Sequence, residues 1–159
     1  VAQLAKGFGM EVLAFDPFVP ADKMVAEGIT PITDLKELYR RSHYLSLHIP
    51  ANEQTKKSIN YDLLSMMPKG ACLVNTARKE VIHEEDLMRV MEERPDFKYV
   101  SDIAPDSLAA LQEKFGTRVF ATAKKMGAET AEANVNAGLA AANQVVGFLK
   151  DGVDRFRVN

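Results

Sequence analysis

The chain has 159 residues, of which 47% are hydrophobic and 26% are charged, and its formal net charge is −2 at pH 7. This is the composition of an ordinary globular protein, with enough apolar side chains for a real core. Because the charge is nearly balanced and no apolar run approaches the roughly 20 residues that span a bilayer, we expect neither nucleic acid nor a membrane as a partner.

The single cysteine and the first residues bear on where the protein works. Cys72 cannot form an internal disulfide, and its apolar neighbours predict a small buried side chain. This fits a reducing compartment, and we expect a cytoplasmic protein. The opening stretch, VAQLAKGFGM, has no starting Met and no long apolar run, so we expect the sequence to be part of a longer protein.

Hydrophobic periodicity predicts short strands that alternate with helices. Asp34 predicts a helix N-cap, Pro68 and Gly70 predict a helix stop, and Gly152 predicts a helix C-terminus. In chain order, the patterns predict a helix at 1–10, a strand at 11–16, a helix at 34–41, a strand at 43–49, a helix at 60–67, a strand at 71–76, a helix at 84–93, a strand at 97–103, a helix at 106–116, a strand at 118–123 and a helix at 130–152.

This alternation favours the α/β class, with a doubly wound, Rossmann-like parallel sheet that is covered by helices on both faces. The crossovers between parallel strands should be right-handed. Ligands of such sheets bind at the carboxyl ends of the strands, near the point where the strand order reverses. The residues that end the predicted strands are therefore the first candidates for a functional site.

Each of the five predicted strands ends in polar or ionisable residues. The strand ends are Asp16, His48, residues 76–78, Asp102 and the pair Lys124 and Lys125. Because the carboxyl ends of parallel strands meet at one edge of a sheet, these side chains predict a functional cleft there.

Asp16 has the position of a ribose-binding aspartate. An acidic residue at the end of the second strand of a dinucleotide-binding unit accepts hydrogen bonds from the adenosine ribose, and its charge repels the 2′-phosphate of NADP. The alternative is a solvated aspartate before Pro17. The glycine fingerprint that usually accompanies such an aspartate is absent, and its position would fall immediately before Val1.

Arg78 leaves the sheet at the predicted cleft, where a guanidinium can match a carboxylate with two parallel hydrogen bonds. The alternative is a surface arginine in a loop. His48 is either a core histidine or part of the lining of a cofactor site, whereas we expect His43 at the surface and His83 at a helix terminus. No histidines, cysteines or carboxylates have metal-ligand spacing, so we expect no metal.

Six stretches resemble successive motifs of the D-2-hydroxyacid dehydrogenase family, in order and with the family's spacing. They are FGMEVLAFDPF, LSLHIPANEQT, MMPKGACLVNTAR, EEDL, VSDI and MGAETAEANVNAG. The resemblance covers essentially the whole chain, and MPKGACLVNTAR is its most specific part. It implies the nucleotide-binding domain of a two-domain enzyme, with NAD as cofactor, a small-molecule 2-hydroxy acid as substrate and a homodimer formed through the nucleotide-binding domains.

The resemblance also implies roles for single residues. Arg78 matches the family's catalytic arginine, and Asp102 matches an aspartate that contacts the nicotinamide amide. The residues implied in cofactor binding are Asp16, Pro17, His48, Pro50, Thr55, Thr76, Ala77, Asp102 and Gly127.

The sequence departs from the family at two positions. Where the family has a glutamate, the register gives Pro105, with Asp106 beside it, and where the family has its catalytic histidine, the register from Gly127 gives Lys125. The glutamate orients the histidine and raises its pKa. A lysine has no tautomer to fix, so the two departures are chemically consistent. The sequence resembles a minority type of the family that carries this lysine.

Lys125 is therefore the predicted acid/base residue. As an ammonium it can donate a proton to a substrate carbonyl, and as a neutral amine it can accept the hydroxyl proton during oxidation. The ordinary pKa of lysine is about 10.4, and desolvation together with repulsion from Lys124 and Arg78 should lower it. The alternative is a surface lysine in a catalytically inactive relative.

Three expectations concern the rest of the domain. Residues 1–135 should form the nucleotide-binding domain, lacking its first strand and glycine-rich loop, and residues 136–159 should return as a helix and tail towards the substrate domain. Because the first strand of such a sheet is central, we expect an interruption between two strands. One side of the last helix predicts close packing, against either a second copy or this chain; it consists of Ala131, Val135, Gly138, Leu139 and Ala142.

The leading functional hypothesis is an NAD-dependent dehydrogenase of a phosphorylated 2-hydroxy acid, in which Arg78 holds the substrate and Lys125 moves the proton. One alternative is a reductase of glyoxylate or hydroxypyruvate, which needs no substrate phosphate. Another is a cofactor-sensing binding module, like the family's transcriptional corepressors, in which turnover is incidental.

Overall fold

The computed structural model describes residues 1–122 and 130–155. Its helices are α1 (Ala2–Gly7), α2 (Ala21–Ala26), α3 (Leu35–Arg41), α4 (Tyr61–Leu64), α5 (Glu84–Glu93), α6 (Leu108–Phe115) and α7 (Ala131–Asp151). Its strands are β1 (Leu13–Ala14), β2 (Thr30–Pro31), β3 (Tyr44–Leu47), β4 (Cys72–Asn75), β5 (Lys98–Ser101) and β6 (Val119–Ala121). Short 3₁₀ turns cover Lys79–Val81 and Gly116–Arg118.

Strands β3 to β6 form one parallel sheet in which the spatial order follows the chain order. Tyr44 lies opposite Cys72, Cys72 lies opposite Lys98, and Tyr99 lies opposite Val119. A helix connects each strand to the next, as parallel strands require. The prediction of an α/β protein with a Rossmann-like parallel sheet is confirmed.

Strands β1 and β2 form a separate parallel pair, in which Leu13 lies opposite Thr30. In the described part of the chain, this pair shares no strand hydrogen bonds with the four-stranded sheet. The two units are joined by side chains instead. Arg41, at the end of α3, lies 2.9 Å from Glu11 just before β1, and Ile32 belongs to the main apolar core. The expected interruption of the sheet is present.

The sequence patterns did not predict α2 and β2. Strand β2 is only two residues long and ends at Pro31, which cannot donate a hydrogen bond, so its apolar period is too short to detect. The turn between them needs Gly28, whose φ is +68°, and a Cβ there would meet the ammonium of Lys6 at 2.5 Å. The predicted helix at 60–67 is also too long, because α4 ends at Leu64.

The helix termini follow the predicted capping chemistry. The side chain of Asp34 accepts a hydrogen bond from the Lys36 amide at 2.9 Å, and Asn60 accepts one from the Leu63 amide at 3.3 Å. Gly152 ends α7 in the left-handed region at φ +66°. These contacts satisfy backbone groups that a helix terminus otherwise leaves without partners.

Only one face of the four-stranded sheet is fully buried by described residues. Strands that follow each other with right-handed crossovers place their connecting helices on the same side, so α4, α5 and α6 share one face. The alternate strand positions, which point to the other face, are partly exposed: Val74 and Val100 are half-buried and Phe120 is 60% exposed. These partly exposed positions lie on the face of the four-stranded sheet opposite α4, α5 and α6.

Helix α7 has no buried residue in the described structure. Val135 is 60% exposed and Leu139 is 58% exposed, so the predicted contact of this side with another described element of the chain is not made. Packing against a second copy stays a prediction. So does the domain boundary at 135/136, which falls inside α7. None of the helices described here is both long and apolar enough to cross a membrane.

Two arginines hold the amino ends of the strands together. The guanidinium of Arg94 donates to the carbonyls of Met67 and Pro68, each at 2.7 Å, and contacts the carboxylate of Asp96 at 2.7 Å. The guanidinium of Arg118 donates to the carbonyl of Arg94 at 3.0 Å. The contact with Arg94, together with a hydrogen bond from a backbone amide, lowers the pKa of Asp96 from its ordinary 3.8 to about 2.

Replacing Asp96 by asparagine in the full-length protein is expected to remove an acid-sensitive contribution to stability. Because the folded pKa lies below the unfolded one, this contribution is present above pH 3.8 and is lost as the pH falls through about 2. The difference between the urea midpoints of wild type and variant should therefore shrink between about pH 5 and about pH 2.

The matched control is Glu113→Gln, which changes an exposed carboxylate of α6 to an amide. The difference between the urea midpoints of this variant and wild type should vary much less with pH. A difference for Asp96→Asn that is as large at about pH 2 as at about pH 5 would contradict the assignment.

Candidate functional site

An open cleft of about 540 Å³ lies at the carboxyl ends of β3 and β4. Two loops form its walls, one after each strand. The lining residues are His48, Ile49, Pro50, Ala51, Thr76, Ala77 and Arg78. Five of these were predicted from the sequence as site residues, so the structure brings His48, Pro50, Thr76, Ala77 and Arg78 together.

His48 is exposed at the end of β3, so it is not a core histidine. Its Nε2 lies 2.9 Å from the hydroxyl of Ser46, two residues earlier on the same strand. This contact gives the imidazole one fixed neighbour, and His48 is among the residues that line the cleft. The interpretation of His48 as part of the lining is the one that the geometry favours.

Thr55 lies in the wall that begins at Pro50, and its hydroxyl is used within that wall. It donates to the carbonyl of Pro50 at 2.5 Å and accepts from the amide of Asn52 at 2.9 Å. The carboxamide oxygen of Asn52 accepts in turn from the Thr55 amide at 3.0 Å. Thr55 therefore supports the shape of the wall.

Arg78 is exposed in the other wall, and its guanidinium is only partly used. Its Nη1 donates to the carbonyl of Ala77 at 2.9 Å, and among the described residues it makes no ion pair. A guanidinium has several further N–H donors in one plane. These can bind a carboxylate in the cleft with the paired geometry that Arg favours.

Asn75 and Ser101 support this wall, and the sequence interpretation did not single them out. Both are buried, at 0% and 2% exposure. The Asn75 side chain bonds to Ala77 and Arg78, and the Ser101 hydroxyl donates to the carbonyl of Asn75 at 2.9 Å. The available signal was a polar residue at the inward position of an apolar run, in CLVN and in KYVS.

Asp102 follows β5 directly beside this wall. Its amide donates to the carbonyl of Asn75 at 3.2 Å, and its carbonyl accepts from the hydroxyl of Thr122 at 2.8 Å. Its side-chain atom Oδ1 is buried, and no described residue donates to it. A buried acceptor without a donor is costly, and the contact of Asp102 with a nicotinamide amide stays a prediction.

Asp16 and Pro17 are not among the residues that line this cleft. They follow β1, in the two-stranded sheet, where Oδ1 of Asp16 accepts from the amide of Phe18 at 2.9 Å. Asp16 is exposed at this strand end. It has the strand-end position that the sequence predicted, and its part in cofactor binding stays a prediction.

Lys124, Lys125 and Gly127 lie outside the described residues. The last described residue before them is Thr122, whose amide donates to the carbonyl of Ser101 at 3.1 Å. With the hydroxyl contact to Asp102, this fixes the end of β6 beside the end of β5. The chain therefore enters the lysine segment from the strand end next to Asp102.

Asp106 points away from the cleft. Its carboxylate is exposed and lies 2.5 Å from the ammonium of Lys79. Glu84, at the start of α5, accepts from the amides of Asp106 and Ser107 and from the Ser107 hydroxyl at 2.9, 2.8 and 2.5 Å. Pro105, the other candidate for the family's glutamate position, is buried. Neither residue offers a carboxylate to the cleft.

A second open cleft, of about 530 Å³, lies between α5 and the start of α6. Its lining is mainly carboxylates and their partners: Glu84, Glu85, Met88, Arg89, Glu92, Asp106 and Ser107. An anionic substrate suits the first cleft better, because Arg78 lies there with no carboxylate among the lining residues, whereas four of the seven residues that line the second cleft are carboxylates. In the described ranges, no group of His, Cys, Asp and Glu side chains is arranged to hold a metal ion.

A family model matches most of the chain. The model described as "D-isomer specific 2-hydroxyacid dehydrogenase, NAD binding domain" matches residues 1–118. The match includes the cleft, Asp16 and Asp102, and it ends before the lysine segment.

Individual relatives agree with the model. The D-3-phosphoglycerate dehydrogenase of Methanocaldococcus jannaschii is 29% identical over 156 residues, which is 94% of this chain and 29% of the relative. The hydroxypyruvate reductase of Thermotoga maritima is 39% identical over 87 residues, which is 55% of this chain and 27% of the relative. This chain thus spans less than a third of either protein.

Among solved structures, the chain is similar to the NAD⁺-bound 3-phosphoglycerate dehydrogenase of Entamoeba histolytica. The two are 40% identical, with a TM-score of 0.85. The comparison covers 99% of this chain and 50% of the other. The likeness extends to both described sheets, since it includes nearly the whole chain.

Proposed function

The chain belongs to the D-isomer specific 2-hydroxyacid dehydrogenase family through its NAD-binding domain, and on this premise we propose that the full-length protein oxidises 3-phosphoglycerate to 3-phosphohydroxypyruvate with NAD. This is the first step of serine synthesis. The observation that carries the proposal is the edge of the sheet where the carboxyl ends of β4 and β5 are joined by hydrogen bonds. The partly free guanidinium of Arg78 lies at this edge, and the buried Oδ1 of Asp102, which has no donor among the described residues, lies beside it.

Each side chain has a distinct task in the proposed reaction. Arg78 binds the carboxylate of the 2-hydroxy acid, which orients the hydroxyl-bearing carbon. Asp102 accepts a hydrogen bond from the nicotinamide carboxamide and thereby selects the orientation of the ring. Asp16 accepts hydrogen bonds from the adenosine ribose. Bound NAD supplies a hydride acceptor to this site.

Lys125 is the proposed acid/base residue. Its neutral amine accepts the hydroxyl proton of the substrate during oxidation, and its ammonium returns a proton to the carbonyl oxygen during reduction. The strand end before it is fixed beside Asp102 by Thr122. The family register from Gly127 supports the choice of Lys125 over Lys124.

The proposal that the substrate carries a phosphate is based on the relatives. Proteins named 3-phosphoglycerate dehydrogenase match 94% and 99% of this chain. The test is a steady-state assay of the full-length protein with NAD, comparing 3-phosphoglycerate with glycerate, which lacks the phosphate. The proposal requires the higher kcat/KM for 3-phosphoglycerate. Binding of NAD without turnover of either acid would favour a cofactor-sensing module instead.

A hydroxypyruvate reductase is the second candidate, because a relative with that name is 39% identical over 87 residues. The two candidates differ in whether a phosphate contributes to substrate binding. Reduction of hydroxypyruvate that is more efficient than reduction of 3-phosphohydroxypyruvate would identify the reductase.

Asp106→Asn is expected to leave the reaction unchanged. The carboxylate pairs with Lys79 and lines the second cleft, so we expect it to take no part in the proton transfer. We expect kcat/KM within about twofold of wild type and the same pH profile. A displaced pH profile in steady-state assays from acid to alkaline pH would instead show that Asp106 takes the role of the family's glutamate.

Two partner and location hypotheses stay predictions. We propose a homodimer formed through the nucleotide-binding domain. The exposed apolar side chains of α7 are available for the contact between the two copies. Sedimentation of the full-length protein tests this. The cytoplasmic location rests on the single buried thiol of Cys72.

A further inference from the structure

Asn75 ends β4 as a fully buried polar residue, and the proposed reaction gives its side chain no direct part. Its exposure is 0%. Because a buried amide that lacks partners destabilises a fold, the contacts of such a residue indicate why it is there. Beyond the regular strand ladder, these contacts join Asn75 to the arginine wall of the cleft and to the end of β5.

The side chain of Asn75 holds two consecutive residues of the cleft wall. Its Oδ1 accepts from the amide of Ala77 at 3.0 Å, and its Nδ2 donates to the carbonyl of Arg78 at 3.0 Å. The first contact closes an Asx turn, and the second reaches one residue further along the chain. An aspartate cannot make the second contact, because its ionised carboxylate has no donor.

The main chain of Asn75 ties this turn to the next strand. Its carbonyl accepts from the hydroxyl of Ser101 at 2.9 Å and from the amide of Asp102 at 3.2 Å. The Ser101 hydroxyl also lies 2.7 Å from the carbonyl of Ile103, a second acceptor for its single proton, and it accepts from the amide of Ile103 at 3.2 Å. Asn75 therefore links the position of Arg78 to that of Asp102.

The guanidinium of Arg78 depends on the same turn. Its Nη1 donates to the carbonyl of Ala77 at 2.9 Å. The amide of Ala77 and the carbonyl of Arg78 are both held by Asn75, so the main chain on either side of the Arg78 side chain is fixed. A buried network of this kind has few alternative arrangements.

We propose that Asn75 is a positioning residue, which fixes Arg78 against the end of β5 so that a substrate carboxylate and the Asp102 acceptor keep one relative position. The inference rests on the proposed function, because it takes Arg78 as the carboxylate-binding group. It adds a residue that touches neither substrate nor cofactor.

The first experiment is a double-mutant cycle in the full-length protein with Asn75→Ala and Arg78→Gln. Alone, Asn75→Ala should lower kcat/KM for the 2-hydroxy acid by about 10- to 100-fold, mainly through KM, because the carboxylate site is no longer preorganised. In the Arg78→Gln background it should change kcat/KM by less than about twofold. Equal losses in both backgrounds would mean that Asn75 acts only through general stability, and would overturn the inference.

The matched control is Asn60→Ala. Asn60 also bonds to the main chain through its side chain, but it caps α4 and lines neither cleft. This variant should lower the thermal midpoint and leave kcat/KM unchanged within about twofold. A loss in kcat/KM like that of Asn75→Ala would again assign the effect to stability.

Calorimetric binding of oxalate in the presence of NADH separates this inference from the proposed function. Asn75→Ala should weaken oxalate binding in the wild-type background and not in the Arg78→Gln background. That result supports the positioning role even if 3-phosphoglycerate is not turned over, in which case only the proposed substrate fails. Oxalate binding that is insensitive to Asn75→Ala overturns the positioning role, whatever the turnover assay shows.

If Asn75→Ala does not fold, the inference can be tested with a second variant, Ser101→Ala. Ser101→Ala keeps both side-chain contacts of Asn75 and removes the hydroxyl that reaches its carbonyl. We expect oxalate binding to weaken by about threefold, again only while Arg78 is present. The same weakening in the Arg78→Gln background would overturn the inference.

Discussion

Replacing Lys125 by methionine in the full-length protein is expected to lower kcat by about 10²- to 10⁴-fold, the range that a positioned general acid or base contributes. Methionine keeps a similar length and removes the group that exchanges the proton. Binding of NAD should be unchanged, because the implied cofactor contacts are made by other residues. Steady-state assays in both directions, with NADH fluorescence for cofactor binding, measure these quantities.

Lys124→Met is the matched control for Lys125→Met, since the two lysines are adjacent in the sequence. We expect it to change kcat by less than about threefold, apart from a shift of the pH profile if its charge lowers the pKa of Lys125. Intact turnover by Lys125→Met would rule out the acid/base role. A loss confined to Lys124→Met would move that role to the neighbouring lysine.

Arg78→Gln is expected to lower kcat/KM by about 10²- to 10³-fold, because a bidentate charge-assisted contact to the substrate carboxylate is lost. Arg78→Lys keeps the positive charge but loses the planar pair of donors, so it should recover only part of the loss. The partly free guanidinium in the cleft is the basis of this expectation. The measurement is kcat/KM for 3-phosphoglycerate at saturating NAD.

Arg89→Gln serves as control for Arg78→Gln. Arg89 is an exposed arginine that pairs with Glu93 and lines the second cleft, so its loss should leave kcat/KM unchanged within about twofold. If Arg78→Gln retained wild-type kcat/KM, the carboxylate would have to bind elsewhere, and the role of this cleft would be wrong.

The strand-end rule predicted most of the candidate site because it depends only on the order of apolar runs. It needs no knowledge of side-chain contacts to place His48 and Arg78 at neighbouring strand ends. The helix caps at Asp34 and Gly152 were predictable for a similar reason, since capping uses residues that are close in sequence.

The features that were not predicted depend on residues far apart in the chain. Asp106 pairs with Lys79, 27 positions away, and Ser101 reaches Asn75 across 26 positions. Hydrophobic periodicity records whether a residue faces inward, and not which partner it meets there. For Val135 on α7 the sequence left open whether this chain or a second copy covers it, because an apolar stripe does not specify its partner, and the described part of this chain leaves it exposed.

The arginine contacts lie at the amino ends of the strands, whereas the cleft lies at their carboxyl ends. Substitutions at the two ends can therefore act independently. Four-residue strands place the amino ends about 13 Å from the cleft, a distance at which effects on stability usually add. A stabilising substitution near Arg94 or Arg118 should therefore offset a destabilising change in the cleft without altering its geometry. Stability gained at the amino ends can thereby offset the stability lost when the cleft is changed for a new substrate.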